Sequence, residues 1–160
     1  YKKTLESMEN MHKFYLTDSI SATTVSALSA KVERLNPDVV FVDGVYLMVD
    51  EVSGEMNTPQ ALTSITRSLK RMAQRYNIPV VVSTQVLLWK MRRGQVSADA
   101  IGYSSSFYQD SDVILALQKQ DEEDDSSRLL KIVASRNCGP AETDLVWDWE
   151  HGKFEEYGTV

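Results

Sequence analysis

Two short runs of apolar residues constrain the fold of this chain more than any other feature. Val39–Val42 and Val80–Val82 carry no alternation of polar and apolar residues. Such runs are typical of strands in a parallel sheet that is covered on both faces. Neighbouring parallel strands need a long crossover connection, which is usually a helix. The two runs therefore predict an α/β fold, provided that helical sequence separates them.

Helical periodicity surrounds the first run. One set of apolar residues recurs at steps of three and four before it: Val25, Leu28, Val32 and Leu35. This spacing predicts an amphipathic helix, capped by Ser21, Thr23 or Thr24 and ended by Asn36-Pro37. A second helix is predicted after Thr58-Pro59, which supply an N-cap and a first-turn proline. Its buried positions would be Leu62, Ile65, Leu69, Met72 and Tyr76, with Asn77 and Pro79 ending it.

The second half of the chain is rich in predicted strands. They are Val113–Leu117, Leu129–Val133, Leu145–Trp149 and a last one at Lys153–Glu155. The acidic run 121–125 fits a solvated hairpin tip, and residues 85–108 form a long loop without periodicity. Near the start, a helical pattern from Leu5 to His12 precedes a short strand at 14–16. The whole pattern predicts one domain over 1–160, with a mainly parallel twisted sheet and an antiparallel C-terminal extension.

Composition excludes several classes of protein. The single cysteine, Cys138, cannot form an intrachain disulfide and fits a reducing cytoplasm. No apolar stretch is long enough to span a bilayer, and no Cys/His cluster has metal-ligand spacing. The net charge of −6 disfavours a broad basic surface for nucleic acid, so any DNA contact should be local. A chain that begins at Tyr1 rather than Met suggests a fragment.

Polar residues that follow the two apolar runs are candidates for chemistry. Asp43 ends the first run, at the edge where open α/β sheets bind ligands. Four apolar residues and an aspartate form the Walker B pattern, whose carboxylate helps to hold Mg²⁺ on a nucleotide phosphate; a loop or capping role is an equally good interpretation. Gln85 follows the second run and can sense a phosphate or a water, although a structural strand-end glutamine is the commoner case.

Two further segments carry exposed cations. Lys90, Arg92 and Arg93 lie beside Trp89 in the predicted loop, and a basic loop with an aromatic residue suits single-stranded DNA. Arg136 lies in a turn after a predicted strand, where an arginine can reach a neighbouring subunit and stabilise charge on a γ-phosphate. The alternatives are a solvated loop for the first segment and a surface ion pair for the second.

Taken together, these segments resemble replicative helicases of the DnaB type and the related phage helicases. The resemblance runs from about Leu5 to Glu155, and it rests on the order and spacing of several motifs. The matching segments are Val39–Met48, Arg67–Ala73, Ile78–Gln85, Tyr108–Ile114, Ser135–Asn137 and Gly139-Pro140. The resemblance implies a RecA-like P-loop ATPase core.

The departures from that family are also informative. No phosphate loop of the Walker A type occurs in the sequence, and the family's catalytic glutamate lies upstream of the matching region. Ala134 stands where the family has a lysine, and Gly102 replaces an arginine of its DNA loop. DNA contact there would rest on backbone amides near Gly102 and Ser104 and on Tyr103, with more of the basic contribution from Lys90, Arg92 and Arg93.

The resemblance implies the motor of an ATP-dependent helicase that uses Mg²⁺, binds single-stranded DNA and forms a hexameric ring with a primase or a helicase loader as partner. Asp43 would hold the water shell of Mg²⁺, Gln85 would couple the γ-phosphate to the DNA loops, and Arg136 would act in trans. The 160-residue chain alone should hydrolyse ATP negligibly. Two alternatives stay open: a recombinase or KaiC-like ring ATPase without unwinding, and a non-catalytic scaffold that kept the fold.

Overall fold

The computed structural model describes residues 14–18, 23–85, 105–120 and 123–157. In this part the chain forms three α-helices, one 3₁₀ helix and six strands. The helices are α1 (Val25–Leu35), the 3₁₀ helix (Val45–Leu47), α2 (Pro59–Tyr76) and α3 (Ser105–Asp110). The strands are β1 (Val40–Val42), β2 (Val80–Val82), β3 (Val113–Lys119), β4 (Ser127–Ser135), β5 (Glu142–Asp148) and β6 (Lys153–Glu156). No helix among these residues is long and apolar enough to cross a membrane.

Helix α1 begins and ends where its sequence predicts. The Thr24 side chain accepts a hydrogen bond from the Ala27 amide at 3.2 Å, which satisfies one of the free amides of the first turn. Asn36 closes the helix in the left-handed conformation, with φ of 47°, a position that asparagine tolerates better than most residues. The predicted helix is therefore confirmed, with Thr24 as its cap.

Helix α2 is the central support of the parallel strands. Thr58 caps it by accepting from the Ala61 amide at 3.1 Å, and Pro59 fills the first turn, where no amide donor is needed. The predicted positions Leu62, Ile65, Leu69 and Met72 are buried, and Tyr76 is half-buried. The core consists of these side chains packed against α1 and β1.

Within the described residues, the strands form two separate sheets. β1 and β2 pair in parallel, with Val40 opposite Val80 and Val42 opposite Val82. β3 to β6 form an antiparallel sheet in chain order, and the β3–β4 pair is the hairpin predicted around the acidic run, of which residues 121 and 122 lie outside the described part. The α/β class with an antiparallel C-terminal part is confirmed. The division into two sheets is a feature that the sequence did not predict.

A cleft of about 740 Å³ separates the two sheets. It is lined by residues of β2 and β3 and by the helices α2 and α3. Within the described ranges, β2 pairs only with β1, and β3 pairs only with β4. Each therefore presents one unpaired strand edge to the cleft.

Three predictions about individual segments were wrong. Residues 14–18 form no strand, and Phe14 and Leu16 are exposed. In the part of the chain that the structure describes, one face of the parallel pair is not covered, and Phe41 is 72% exposed and Val81 48%. Residues 105–108, the last part of the segment expected to be loop, belong to helix α3, because Phe107 is buried in the core. The helix predicted around residues 5–12 lies outside the described residues.

Candidate active site at the end of the parallel strands

Asp43 and Gln85 lie at the same edge of the parallel pair. The register places Val42 beside Val82, so the residues that follow them emerge together at the carboxyl ends of β1 and β2. Ligands of open α/β sheets bind outside this edge. Asp43 and Gln85 are both exposed there, which confirms only that they are placed where the sequence predicted.

A serine that the sequence analysis did not single out lies between the two strand ends. The Ser83 hydroxyl donates to Asp43 Oδ1 at 2.7 Å and accepts from the Gly44 amide at 2.8 Å. Its backbone is tied to the same segment, since the Ser83 amide donates to the Val42 carbonyl at 2.9 Å. Ser83, which directly follows β2, is therefore hydrogen-bonded both to the Asp43 carboxylate and to the turn that follows β1.

The turn after Asp43 requires a glycine. Gly44 has φ of 82°, in the left-handed region, where a Cβ costs free energy. A Cβ at this position would also lie 3.1 Å from Leu47 Cδ1. The turn leads directly into the 3₁₀ helix, and the Val45 amide donates to the Ser83 carbonyl at 3.0 Å.

Gln85 is connected to the same turn by Tyr46. The Gln85 amide nitrogen Nε2 donates to the Tyr46 hydroxyl at 3.2 Å. This contact leaves the carbonyl oxygen Oε1, the acceptor end of the side chain, without a hydrogen-bond partner in the described part of the chain. The side chains of Asp43 and Gln85 are therefore linked through the residues 44–46.

The residues at this edge fit a magnesium ion carried by a nucleotide, and not a metal held by protein alone. The described residues contain no group of three or more potential metal-binding His, Cys, Asp or Glu side chains. Mg²⁺ commonly keeps several waters and takes one or two protein carboxylates together with substrate phosphates. Asp43 supplies one such carboxylate, and its Oδ2 has no hydrogen-bond partner in the regions that the structure describes.

Arg136 lies on the other sheet, in the turn after β4. Its Nε donates to the Ser111 carbonyl at 3.1 Å and lies 3.8 Å from Asp112 Oδ1. Its Nη2 donates to the Gln109 carbonyl. These contacts connect Arg136 to the segment between α3 and β3, and the structure does not bring it to Asp43 or Gln85 within one chain.

The predicted DNA-binding residues cannot be placed in this site. Lys90, Arg92, Arg93, Gly102, Tyr103 and Ser104 all lie outside the described residues. Ser83 and Tyr46, by contrast, contact the predicted site residues Asp43 and Gln85, and the sequence alone did not indicate this. The signal for Ser83 was its position, one residue after the strand that pairs with β1.

Comparisons with known proteins agree with this arrangement. The family model of the DnaB-like helicase C-terminal domain matches residues 1–156. A probable replicative DNA helicase of Trieres chinensis is 28% identical over 89% of this chain and 35% of its own length. The replicative DNA helicase DnaB of Geobacillus stearothermophilus is 26% identical over 86% of this chain and 33% of its own length.

Solved structures share the fold. A DnaB-like replicative helicase, described with its interactions with primase, superposes with a TM-score of 0.73 at 20% identity over 83% of this chain and 36% of that one. A KaiC-like protein of Pyrococcus horikoshii superposes with a TM-score of 0.64 at 12% identity, over 96% of this chain and 64% of that one. These likenesses confirm the RecA-like fold implied by the sequence.

The chain spans about a third of the length of the curated relatives that it matches. The family model nevertheless covers nearly all of it. The chain belongs to the DnaB-like helicase C-terminal domain family.

Proposed function

We propose that this chain is part of the motor of an ATP-dependent replicative DNA helicase, which couples ATP hydrolysis to movement along single-stranded DNA and separation of the duplex. The observation that carries the proposal is the exposed carboxylate of Asp43 at the ligand-binding edge of the parallel pair, with Gln85 beside it. Family membership supports nucleotide binding at this edge.

Asp43 and Gln85 would contact different groups of the bound nucleotide. Mg²⁺, when bound, neutralises charge that develops on the transferring phosphoryl group. Asp43 would hold the water shell of that ion through its free Oδ2. Gln85 would donate its second Nε2 hydrogen to the γ-phosphate or accept from a water through Oε1, so that the phosphate state is passed to the segment that follows.

Arg136 would complete the site of a neighbouring subunit in a hexameric ring. Its Nη1 has no hydrogen-bond partner in the ranges that the structure describes, and the side chain is more than half exposed. The hydrogen bonds from Nε and Nη2 to the Ser111 and Gln109 carbonyls would hold the guanidinium in place. A guanidinium held in this way can stabilise charge on a γ-phosphate across a subunit interface.

The cleft between the sheets supports the view that the phosphate-loop strand lies elsewhere in the protein. A strand that entered this cleft would lie between β2 and β3, whose edges at the cleft are unpaired in the described ranges. Such a strand would pair with the free edges of β2 and β3. Stronger amide protection of β3 in the full gene product than in the 160-residue chain would support this proposal.

DNA contact would come from Lys90, Arg92 and Arg93, with Gly102, Tyr103 and Ser104, in the channel of the ring. A primase, named with the DnaB-like helicase that shares this fold, is the expected class of partner, together with a helicase loader. The cytoplasm is the expected compartment. A ring ATPase that does not unwind DNA has the same fold, and strand-displacement activity distinguishes the two.

The experiment is DNA-stimulated ATP hydrolysis by the full gene product. Asp43→Ala should reduce turnover by at least about 10³-fold, because a group essential to phosphoryl transfer is lost. Asp38→Ala is the matched control, since Asp38 is an exposed aspartate near the other end of β1. Normal turnover by Asp43→Ala, or no ATP hydrolysis by the wild-type protein, would contradict the proposal.

A further inference from the structure

We propose that Ser83 and Tyr46 are positioning residues: Ser83 fixes the carboxylate of Asp43, Tyr46 fixes the amide of Gln85, and the turn between them couples the two groups. The inference rests on the proposed function, because it assigns roles to the neighbours of Asp43 and Gln85. It concerns residues that do not themselves reach the nucleotide.

The hydrogen bonds of Ser83 determine the orientation of its hydroxyl. A serine hydroxyl has one proton to donate, and here the proton goes to Asp43 Oδ1 at 2.7 Å. The Gly44 amide occupies the acceptor side at 2.8 Å. An exposed aspartate without such a partner samples several staggered rotamers. The Ser83 contact selects one of them and leaves Oδ2 for the ligand.

Tyr46 has the corresponding role for Gln85. Its hydroxyl accepts a hydrogen bond from Gln85 Nε2 at 3.2 Å, which restrains the amide group of Gln85. An amide held in this way keeps Oε1 as an acceptor for a water or a donor group and one Nε2 hydrogen to donate. The contact therefore fixes the orientation of the Gln85 amide at this edge of the sheet.

The backbone between these contacts makes them one unit. Ser83 donates to the Val42 carbonyl and accepts from the Val45 amide, at 2.9 and 3.0 Å. Both Asp43 and Tyr46 thus belong to a short turn that is bonded at several points to the strand end leading to Gln85. A displacement of Gln85 would be transmitted through Tyr46 to the turn that carries Asp43.

The experiment uses four variants of the full gene product: Asp43→Ala, Ser83→Ala, Ser83→Thr and Tyr46→Phe. Ser83→Ala should lower kcat for ATP about tenfold, the effect of one lost hydrogen bond to a charged group, with KM changed less than about twofold. Ser83→Thr keeps the hydroxyl and should restore kcat to within about twofold of wild type. Tyr46→Phe removes one oxygen and should lower kcat about threefold.

Hydrogen–deuterium exchange of the segment 43–47 gives a readout that does not depend on turnover. Ser83→Ala removes the acceptor of the Gly44 amide, so exchange there should become faster, whereas Ser83→Thr should leave it unchanged. Matched controls are Ser68→Ala and Tyr157→Phe, which remove the same groups outside this cluster and should change neither kcat nor the exchange of residues 43–47.

The outcomes separate this inference from the proposed function. If Asp43→Ala abolishes turnover while Ser83→Ala and Tyr46→Phe leave kcat unchanged, the positioning roles are wrong and the proposed function stands. If Ser83→Thr loses as much kcat as Ser83→Ala, the serine is a structural part of the turn and the inference is overturned. Full activity of Asp43→Ala would overturn both.

Discussion

At the scale of single residues, serine donors surround the buried carboxylate of Asp50. Ser64 donates to Oδ1 at 2.6 Å, and the Ser53 hydroxyl and amide donate to Oδ2 at 2.7 and 3.0 Å. The Ser64 hydroxyl first, and then the Ser53 groups, lower the pKa of Asp50 from 3.8 to about 2. The carboxylate thereby ties the loop before α2 to the helix itself.

This network predicts a specific pH dependence of stability. Because the folded pKa of Asp50 is depressed, its contribution is fully present above about pH 4 and is lost as the pH falls towards 2. Asp50→Asn should therefore be less stable than wild type at pH 7, and the difference should shrink between pH 4 and pH 2. Urea unfolding of both proteins from pH 7 to pH 2 measures this difference in the free energy of unfolding. A difference that is constant with pH would show that ionisation of Asp50 does not contribute.

Gly44 gives a second prediction at this scale. Gly44→Ala forces a side chain into the left-handed region beside Leu47 and should cost about 1–2 kcal/mol of unfolding free energy. Gly54→Ala is the matched control: its φ is 72°, but a Cβ there meets nothing within 4 Å. Gly44→Ala should be the more destabilising of the two in urea unfolding. Equal losses would mean that the Leu47 contact has no energetic consequence.

Single residues also show where sequence reasoning succeeded. Asp43 was identifiable because it directly follows a run of four apolar residues, a local pattern. Ser83 and Tyr46 were not, because their contacts depend on the β1–β2 register and on the positive φ of Gly44. Such contacts join residues about 40 positions apart in the chain, and no periodicity predicts them.

At the scale of elements, helices α1 and α2 were predictable and α3 was not. The two longer helices have caps and repeated apolar positions. Helix α3 has only six residues, too few to display a helical period. It forms because Phe107 packs into the core beside α2, so tertiary contacts decide its structure.

The contribution of α3 to the free energy of unfolding can be measured at Phe107, which is 4% exposed. Phe107→Ala should destabilise the fold by about 3–5 kcal/mol, the range for removing a buried phenylalanine. The adjacent Tyr108 is 57% exposed, so Tyr108→Ala is a matched control and should cost less than about 1 kcal/mol. Thermal or urea unfolding measures both. A small loss at Phe107 would mean that α3 is only loosely attached to the core.

The sheets show a different limit of sequence reasoning. Each strand of the C-terminal sheet was predicted within a few residues, since its apolar run ends in polar or turn residues. The gap between β2 and β3 was not, because a run of apolar residues indicates a strand but does not indicate its neighbours. The exposed face of the parallel pair, at Phe41 and Val81, was not predicted for the same reason.

At the scale of the whole molecule, the net charge of −6 predicts that the proposed DNA contact is local. Replacing Lys90, Arg92 and Arg93 with Ala in the full gene product should weaken single-strand binding and reduce the salt slope by up to about 0.7 per lost phosphate contact. A triple Ala variant of Arg34, Arg71 and Arg75 has the same change in charge on exposed helix positions. Equal effects of the two variants on the salt slope would show that only overall charge matters.

In the proposed hexameric ring, hydrolysis occurs between subunits, with Asp43 on one side and Arg136 on the other. Arg136→Ala and Asp43→Ala proteins should each be inactive but should still assemble. If subunits exchange freely at equal amounts, roughly a quarter of the interfaces in a mixed ring would combine an intact Asp43 with an intact Arg136.

The most direct test is therefore the DNA-stimulated ATPase rate of the two inactive variants, measured separately and after mixing. Partial recovery of hydrolysis is expected on mixing, with none in either variant alone. Normal hydrolysis by rings of Arg136→Ala subunits, or no recovery in mixed rings that are shown to contain both subunits, would contradict it.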